Sequence, residues 1–409
     1  MSHFVEQDIR FEKKNSRVFL LLTMMLSIFC IMKVLRGIDT DSTEAGGIWN
    51  YISVLYYPIF LWAVIRTRKY RLKPLFVSGI VYIVFAMFSA IANFSAQLNI
   101  VTVYEFMMIP YALLVFLTFY LCSDSSRSGH NIILIGYFVC LVLNLISIFQ
   151  YRFVGAEQAM ESDIYFSLGL FPFALQLLKG KIKRIIIILM EFLAVFMVNK
   201  RTALISFGVA LVAYLLIYSW INEKNKVSAI LKSIVMATIV AYVFYKVSIY
   251  IDLKYDMNIY NRLFNIMEDG GSGRTDIYQR VWTAFKDSSF VEKLFGHGMN
   301  AAGKVGGAGY AHNDFLEVLY NYGVFAFVSV AVFYVSLIAQ GIKLTKRRSP
   351  YAASFIFSLI IGLFLAMFSY FLIYYTYVTC IMAFWGYVLA LEKKRIKALQ
   401  VKRTGDNSK

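Results

Sequence analysis

The chain has 409 residues, of which 59% are hydrophobic, 17% aromatic and only 16% charged. Its apolar residues gather in blocks of roughly 17–25, long enough to cross a ~30 Å hydrocarbon core, which excludes a soluble domain and indicates a polytopic membrane protein. A net charge of +17 would suit a nucleic-acid partner, but the basic residues follow membrane topology, which excludes nucleic acid.

Four basic residues, Arg10, Lys13, Lys14 and Arg17, precede the first apolar block. The block is long and no small-x-small cleavage pattern closes it, so it reads as an uncleaved first span and not a signal peptide. Spans are expected over 18–35, 49–65, 75–97, 101–122, 132–151, 162–178, 184–199, 202–221, 229–250, 315–342, 351–370 and 371–391. That gives an all-α helix bundle of about twelve transmembrane helices. The last two spans come from one uncharged run, 350–391, about twice too long for a single crossing at 1.5 Å per residue. It must fold back, near Ser369–Thr376. With the N-terminus inside, the cytoplasmic segments hold 28 of the 41 Lys and Arg residues, which places both termini in the cytoplasm. Cys30, Cys122, Cys140 and Cys380 lie in or at the ends of apolar blocks, so no disulfide framework is expected. Residues 1–409 form one integral membrane domain, and 251–311 form one large extracytoplasmic loop.

The outer segments hold the residues capable of chemistry. In the first outer loop Asp39 and Asp41 make a D-x-D pair, read as ordinary solvated acids. The connection NKRT, 199–202, sets Lys200 and Arg201 at the outer boundary, where they either snorkel to headgroups or point inward at a phosphate. The large loop carries seven basic and seven acidic residues, against the positive-inside bias, so its cations are candidates for holding an anion. It also contains GGSGR, 270–274, and GHGMN, 296–300, whose glycines permit close backbone approach to a ligand. Arg201 together with an arginine of the large loop could clamp a diphosphate, since a guanidinium matches two phosphate oxygens at once. His297 and His312 fall outside, and His312 heads the stretch AHNDFLEVLYNYG, 311–323. An imidazole there can accept a proton near neutral pH. The alternative is an interfacial histidine at a helix N-terminus, with Asn313 or Asp314 as the cap. Two histidines without a third ligand do not make a metal site.

Taken together, NKRT-ALISF, SGRTDIYQRVW (272–282), FGHGMN (295–300) and AHNDFLEVLYNYG resemble the O-antigen polymerase and O-antigen ligase superfamily of bacterial membrane glycosyltransferases, over about the last half of the chain. The resemblance implies a GT-C-like bundle in the inner membrane and transfer, on its outer face, from an undecaprenyl-diphosphate-linked oligosaccharide to an acceptor sugar. His312 would act as base. Arg201 and Arg274 would stabilise the diphosphate, and Arg280, Lys200, His297 and Asn313 would bind substrate. No metal or other cofactor is implied. The partners expected are lipid-linked donor and acceptor, membrane lipids, and a chain-length regulator and flippase of the same pathway. Polymerisation of O-antigen, capsular or exopolysaccharide repeat units is the preferred activity, with ligation to a lipid A core as the alternative. A lipid-linked oligosaccharide flippase is the reading from another class. It is disfavoured because spans three to eight carry few mid-span charges, Glu105 and Glu191 being the clear acidic ones.

Overall fold

The computed structural model describes residues 2–38, 54–66, 74–94, 100–150, 163–223, 225–255, 273–307, 310–369, 372 and 375–406. Every regular element among these is a helix. In chain order they are α1 (Ser2–Ile38), α2 (Tyr56–Arg66), α3 (Pro74–Ala92), α4 (Ile100–Cys122), α5 (Arg127–Phe149), α6 (Ile164–Leu177), α7 (Lys181–Val198), α8 (Arg201–Asn222) and α9 (Lys226–Tyr255). Then come α10 (Arg274–Asp287), α11 (Phe290–Phe295), α12 (Ala301–Gly306), α13 (Asp314–Lys346), α14 (Ala352–Phe368) and α15 (Tyr375–Asp406). Each of the twelve expected spans overlaps a helix over its described residues, that of 49–65 only from Tyr56 onward. Among the described residues, six are long and apolar enough to cross a membrane: Ser16–Leu35, Pro74–Ala92, Val103–Cys122, Arg127–Phe149, Arg201–Asn222 and Asp314–Lys346. Two more, Ile164–Leu177 and Ala352–Phe368, are apolar but shorter. The chain is thus a multi-pass helical membrane protein. Large aliphatic side chains stay uncovered along these helices, among them Val84, Ile135 and Val335, as a hydrocarbon surrounding allows. The uncharged run near the C-terminus does break, with α14 ending at Phe368 and α15 starting at Tyr375.

The chain divides into two compact units, residues 1–70, 111–198 and 376–409 in one, 71–110 and 199–375 in the other. In the first, α5 packs on α1, α6 and α7. Gly136 of α5 lets α1 approach, since a Cβ there would lie 2.4 Å from the Ser27 hydroxyl. Glu191, fully buried on α7, accepts hydrogen bonds from Tyr137 (3.1 Å) and Ser167 (3.0 Å), and Asn144 donates to Ser167 at 3.0 Å. All four cysteines are free and buried, in keeping with their apolar surroundings. His130 makes a 3.0 Å hydrogen bond with Tyr387 and meets the edge of Phe19.

In the second unit α3 runs along α13, and α8 packs between α9 and α14. The helix α13 is not continuous. At Gly323 the backbone turns out of the helical region (φ 81°, ψ 179°), leaving nine residues before the break and 23 after it, about 34 Å at 1.5 Å per residue. A break in a helix leaves carbonyls without their usual donors. Here the loop supplies them. The N–H of His297 donates to Tyr320 O at 3.1 Å and that of Gly298 to Asn321 O at 2.8 Å, while Ser89 of α3 donates to the same Asn321 carbonyl at 2.8 Å. The Asn321 side chain in turn accepts from Ala302 N at 2.7 Å, at the start of α12. No side chain fits at the crossing. A Cβ on Gly296 would lie 2.3 Å from Asn321 O, and one on Gly323 2.2 Å from Leu294 O, and both residues have the positive φ that favours glycine. Phe295 fills the adjacent space, with ring centroids 5.4 Å from Phe88 and 5.7 Å from Phe325.

Candidate active site

Residues from four segments of the second unit converge at the C-terminal end of α14. Its last carbonyls, those of Met367 and Phe368, have no partner within the helix, and side chains from elsewhere take them. Arg274, the first residue of α10, donates from Nη1 to the Phe368 carbonyl, which Thr202 of α8 also approaches at 3.5 Å. Asn313 donates from Nδ2 to Met367 O at 3.1 Å. One turn beyond Arg274 on the same face of α10, the Tyr278 hydroxyl lies 3.1 Å from His312 O and 3.5 Å from Met367 O. Burial pushes the Tyr278 phenol upward, opposed by Arg274 and by its hydrogen bond with Asn313, so it remains a donor.

The turn that carries His312 is fixed from three sides. Asn313 is the N-cap of α13, its side chain accepting from Leu316 N at 3.0 Å, so the capping role falls to Asn313. His312 is the residue before the cap and holds φ 56°, a left-handed conformation costing roughly 1–2 kcal/mol outside glycine. Glu317, one turn into α13 and buried, reaches back to accept from Ala311 N at 2.6 Å and from the His312 N–H. Tyr278 holds the His312 carbonyl. A backbone in a sparsely populated region persists only where its surroundings over-determine it, and here they do. Asp314, also buried, accepts from Leu372 N.

The electrostatics of this corner are cationic. The imidazole of His312, half-buried, is pulled down to about 4, first by burial, then by Arg274 and then by Lys200. At neutral pH it is therefore uncharged and able to accept a proton. Lys200 is the N-cap residue of α8, and Arg201 begins that helix, so the positive end of a 22-residue helix adds to the side-chain charges. Lys200, Arg201, Arg274, His312 and Asn313 thus occupy one end of this unit.

Two of the sequence candidates lie elsewhere. His297 belongs to the crossing at Gly323, its ring stacked on Tyr320 at 4.3 Å and its Nε2 2.7 Å from the Ser288 hydroxyl. Arg280 faces away from the Arg274–Tyr278 edge of α10 and donates from Nη2 to Gly306 O at 2.6 Å. Asp39, Asp41, Arg262 and the GGS of the SGR stretch lie outside the described residues. Among the described residues no three His, Cys, Asp or Glu side chains are grouped to hold a metal ion.

Sequence reasoning passed over Tyr278 and Glu317. Tyr278 stands four residues after Arg274, which puts both on one helix face. Glu317 stands three after Asp314, and two acids a turn apart at the head of an apolar segment were the available signal.

A comparison with curated proteins finds no match to this chain. Residues 185–331, a little over a third of the chain, match the family model described as O-Antigen ligase. That stretch runs from within α7 to residue 331, past the break in α13, and includes Lys200, Arg201, Arg274, Arg280, His297, His312 and Asn313. Its match is consistent with the O-antigen polymerase and ligase superfamily, membrane enzymes of the glycosyltransferase or ligase type.

Proposed function

We propose that the protein polymerises undecaprenyl-diphosphate-linked oligosaccharide repeat units, of O-antigen or of capsular or exopolysaccharide type, on the outer face of the bacterial cytoplasmic membrane. The reaction is a metal-independent, inverting glycosyl transfer. The observation that supports it most is the meeting, at one end of the unit, of the His312 turn with Arg274 and Asn313 on the last carbonyls of α14, with Lys200 and Arg201 at the start of α8. A base and a set of fixed cations are what such a transfer needs.

In this reading the acceptor hydroxyl gives its proton to His312 as its oxygen bonds to the anomeric carbon of the donor. The bond from that carbon to the diphosphate oxygen breaks on the opposite side, and the configuration inverts. The leaving diphosphate gathers negative charge, which Arg274, Arg201 and Lys200 offset, helped by the N-terminus of α8. Asn313 and Tyr278 orient the turn, and the lipid tail stays in the bilayer. The twelve-span topology with both termini inside, supported by the distribution of basic residues, puts this corner on the outer side. Membrane lipids surround it, and a flippase and chain-length regulator of the same pathway are its natural partners. A second reading, ligation of the glycan to a lipid A core, is favoured by the description of the matching family model. It uses the same chemistry with a different acceptor.

Two measurements test the proposal. Purified protein given only lipid-linked repeat units should lengthen them in the presence of a chelator. Dependence on added divalent ions, or release of product only when lipid A core is supplied, would move the assignment. On intact cells, an impermeant maleimide should label Lys304→Cys, and should label Arg347→Cys only after permeabilisation. Both positions are exposed, and labelling of both from one side would overturn the topology.

A further inference from the structure

On the side of α10 turned away from His312 lies an open cleft of about 510 Å³, within the ~300–1,000 Å³ of small-molecule sites. Its polar lining is Asp276, Gln279, Arg280, Thr283 and Asp287, and Val305 of α12 supplies an apolar wall. The cleft is built on a rigid base. Ile277 and Val281, on the inner face of α10, pack in a core with Ala302, Ala311 and Tyr320. The bond from Arg280 to Gly306 O ties the guanidinium to the end of α12. None of these polar side chains has a part in the chemistry assigned to His312 and Arg274.

The lining chemistry narrows the occupant. Two carboxylates beside one guanidinium leave the cleft with a net negative charge, which disfavours a phosphate or an acidic sugar. Carboxylate acceptors, guanidinium donors, and an amide and a hydroxyl that do both together match a ring of vicinal hydroxyl groups. An apolar platform adjoins. Trp282 follows Gln279 by three residues and Tyr278 by four, so it stands between the cleft and the Arg274–Tyr278 edge of the helix. Trp282 is 45% exposed; its ring stacks on Phe285 at 5.7 Å, and the Lys286 ammonium stands over it, 5.7 Å from the centroid. A partly exposed indole with an ammonium donor beside it suits the C–H and hydroxyl groups of a sugar ring together.

We infer that this cleft and Trp282 form a saccharide-binding subsite. It holds an uncharged sugar of the glycan, one or more residues away from the reacting carbon, as the chain passes around α10. The inference rests on the glycosyl-transfer reading and adds to it a place for the glycan remote from the diphosphate. Remote binding of this kind supplies free energy that can be used to position the reacting end.

The test uses full-length protein in detergent. The probe is a fluorescently labelled fragment of two or three repeat units, released by mild acid from the surface polysaccharide of the producing cells, without lipid or diphosphate. The native protein should bind it saturably, and excess inorganic diphosphate should not displace it. Asp276→Asn with Asp287→Asn, Trp282→Ala, and Gln279→Ala as a milder single change should each weaken binding, the first two by at least tenfold. These positions are exposed, so gel-filtration and melting profiles should match the native protein. Failure of the native protein to bind, displacement by diphosphate, or native-like binding by the cleft variants overturns the subsite. The His312→Ala protein separates the two readings, since it should bind the fragment normally while failing in transfer. Full transfer by that variant together with loss of binding in the cleft variants would overturn the role of His312 and leave the subsite standing.

Discussion

His312→Ala protein should reach the membrane in normal amount and lose roughly 10²–10⁴ of its turnover, the range for removal of a general base. The separation of level from activity follows from the local architecture. Asn313 caps α13 and Glu317 pins the turn through backbone N–H groups, so neither contact needs the imidazole. His312→Asn is the sharper variant. Asparagine tolerates the left-handed conformation that residue 312 adopts, and its amide cannot take a proton. It should fold at least as well as His312→Ala and remain inactive, and an active His312→Asn enzyme would exclude the base. The working form is the uncharged imidazole, so activity is present above the pKa of His312 and lost below it. With that pKa near 4 in the unliganded protein, kcat/KM should hold to well below pH 6. A bound diphosphate offsets Arg274 and Lys200, two of the causes that hold the pKa down, so the acid limb of kcat should lie at higher pH than that of kcat/KM. Coincident limbs would show that the substrate's charge does not reach the imidazole.

Removal of the Arg274 guanidinium should cost on the order of 10²–10³ in rate, as for one preorganised group that stabilises developing charge. Arg201→Ala should fall in the same range. Arg274→Lys should recover only part, because a point charge cannot match two oxygens at once, nor does an ammonium reproduce the reach of the guanidinium to the Phe368 carbonyl. A loss of this size could also come from a shifted turn, and the pH profile distinguishes the cases. Without the cation the imidazole is easier to protonate, so in Arg274→Ala the acid limb of kcat/KM should move to higher pH. An unmoved limb with a large loss would mean that Arg274 acts on the diphosphate without influencing His312.

The helices were legible because lipid imposes long uncharged runs, and the break after Phe368 followed from length alone. The break at Gly323 was not. Nothing in FLEVLYNYGVFAF distinguishes a tolerated helical glycine from one pressed against Leu294, because the reason lies in a loop some thirty residues earlier. At the candidate site the residue types were legible, since arginine and histidine in segments expected outside run against the charge bias. Their meeting place was hidden, because its centre is a pair of main-chain carbonyls, Met367 and Phe368, which any apolar sequence possesses. His297 and His312 looked equivalent in sequence. Their contacts differ: one stacks on Tyr320 inside the helix crossing, the other lies near Arg274 and Lys200.

The broken helix sets an order of assembly. Two of the donors that satisfy its exposed carbonyls, His297 and Gly298, leave the ribosome just before α13, but the third, Ser89, sits on a helix made more than 200 residues earlier. A newly inserted α13 therefore cannot settle in lipid until it has found both the folded loop and α3. The turn carrying His312, two residues before α13, is held instead by Asn313, Glu317 and Tyr278, so its contacts form independently of that search. Until then the Tyr320 and Asn321 carbonyls lack the donors that satisfy them in the folded chain.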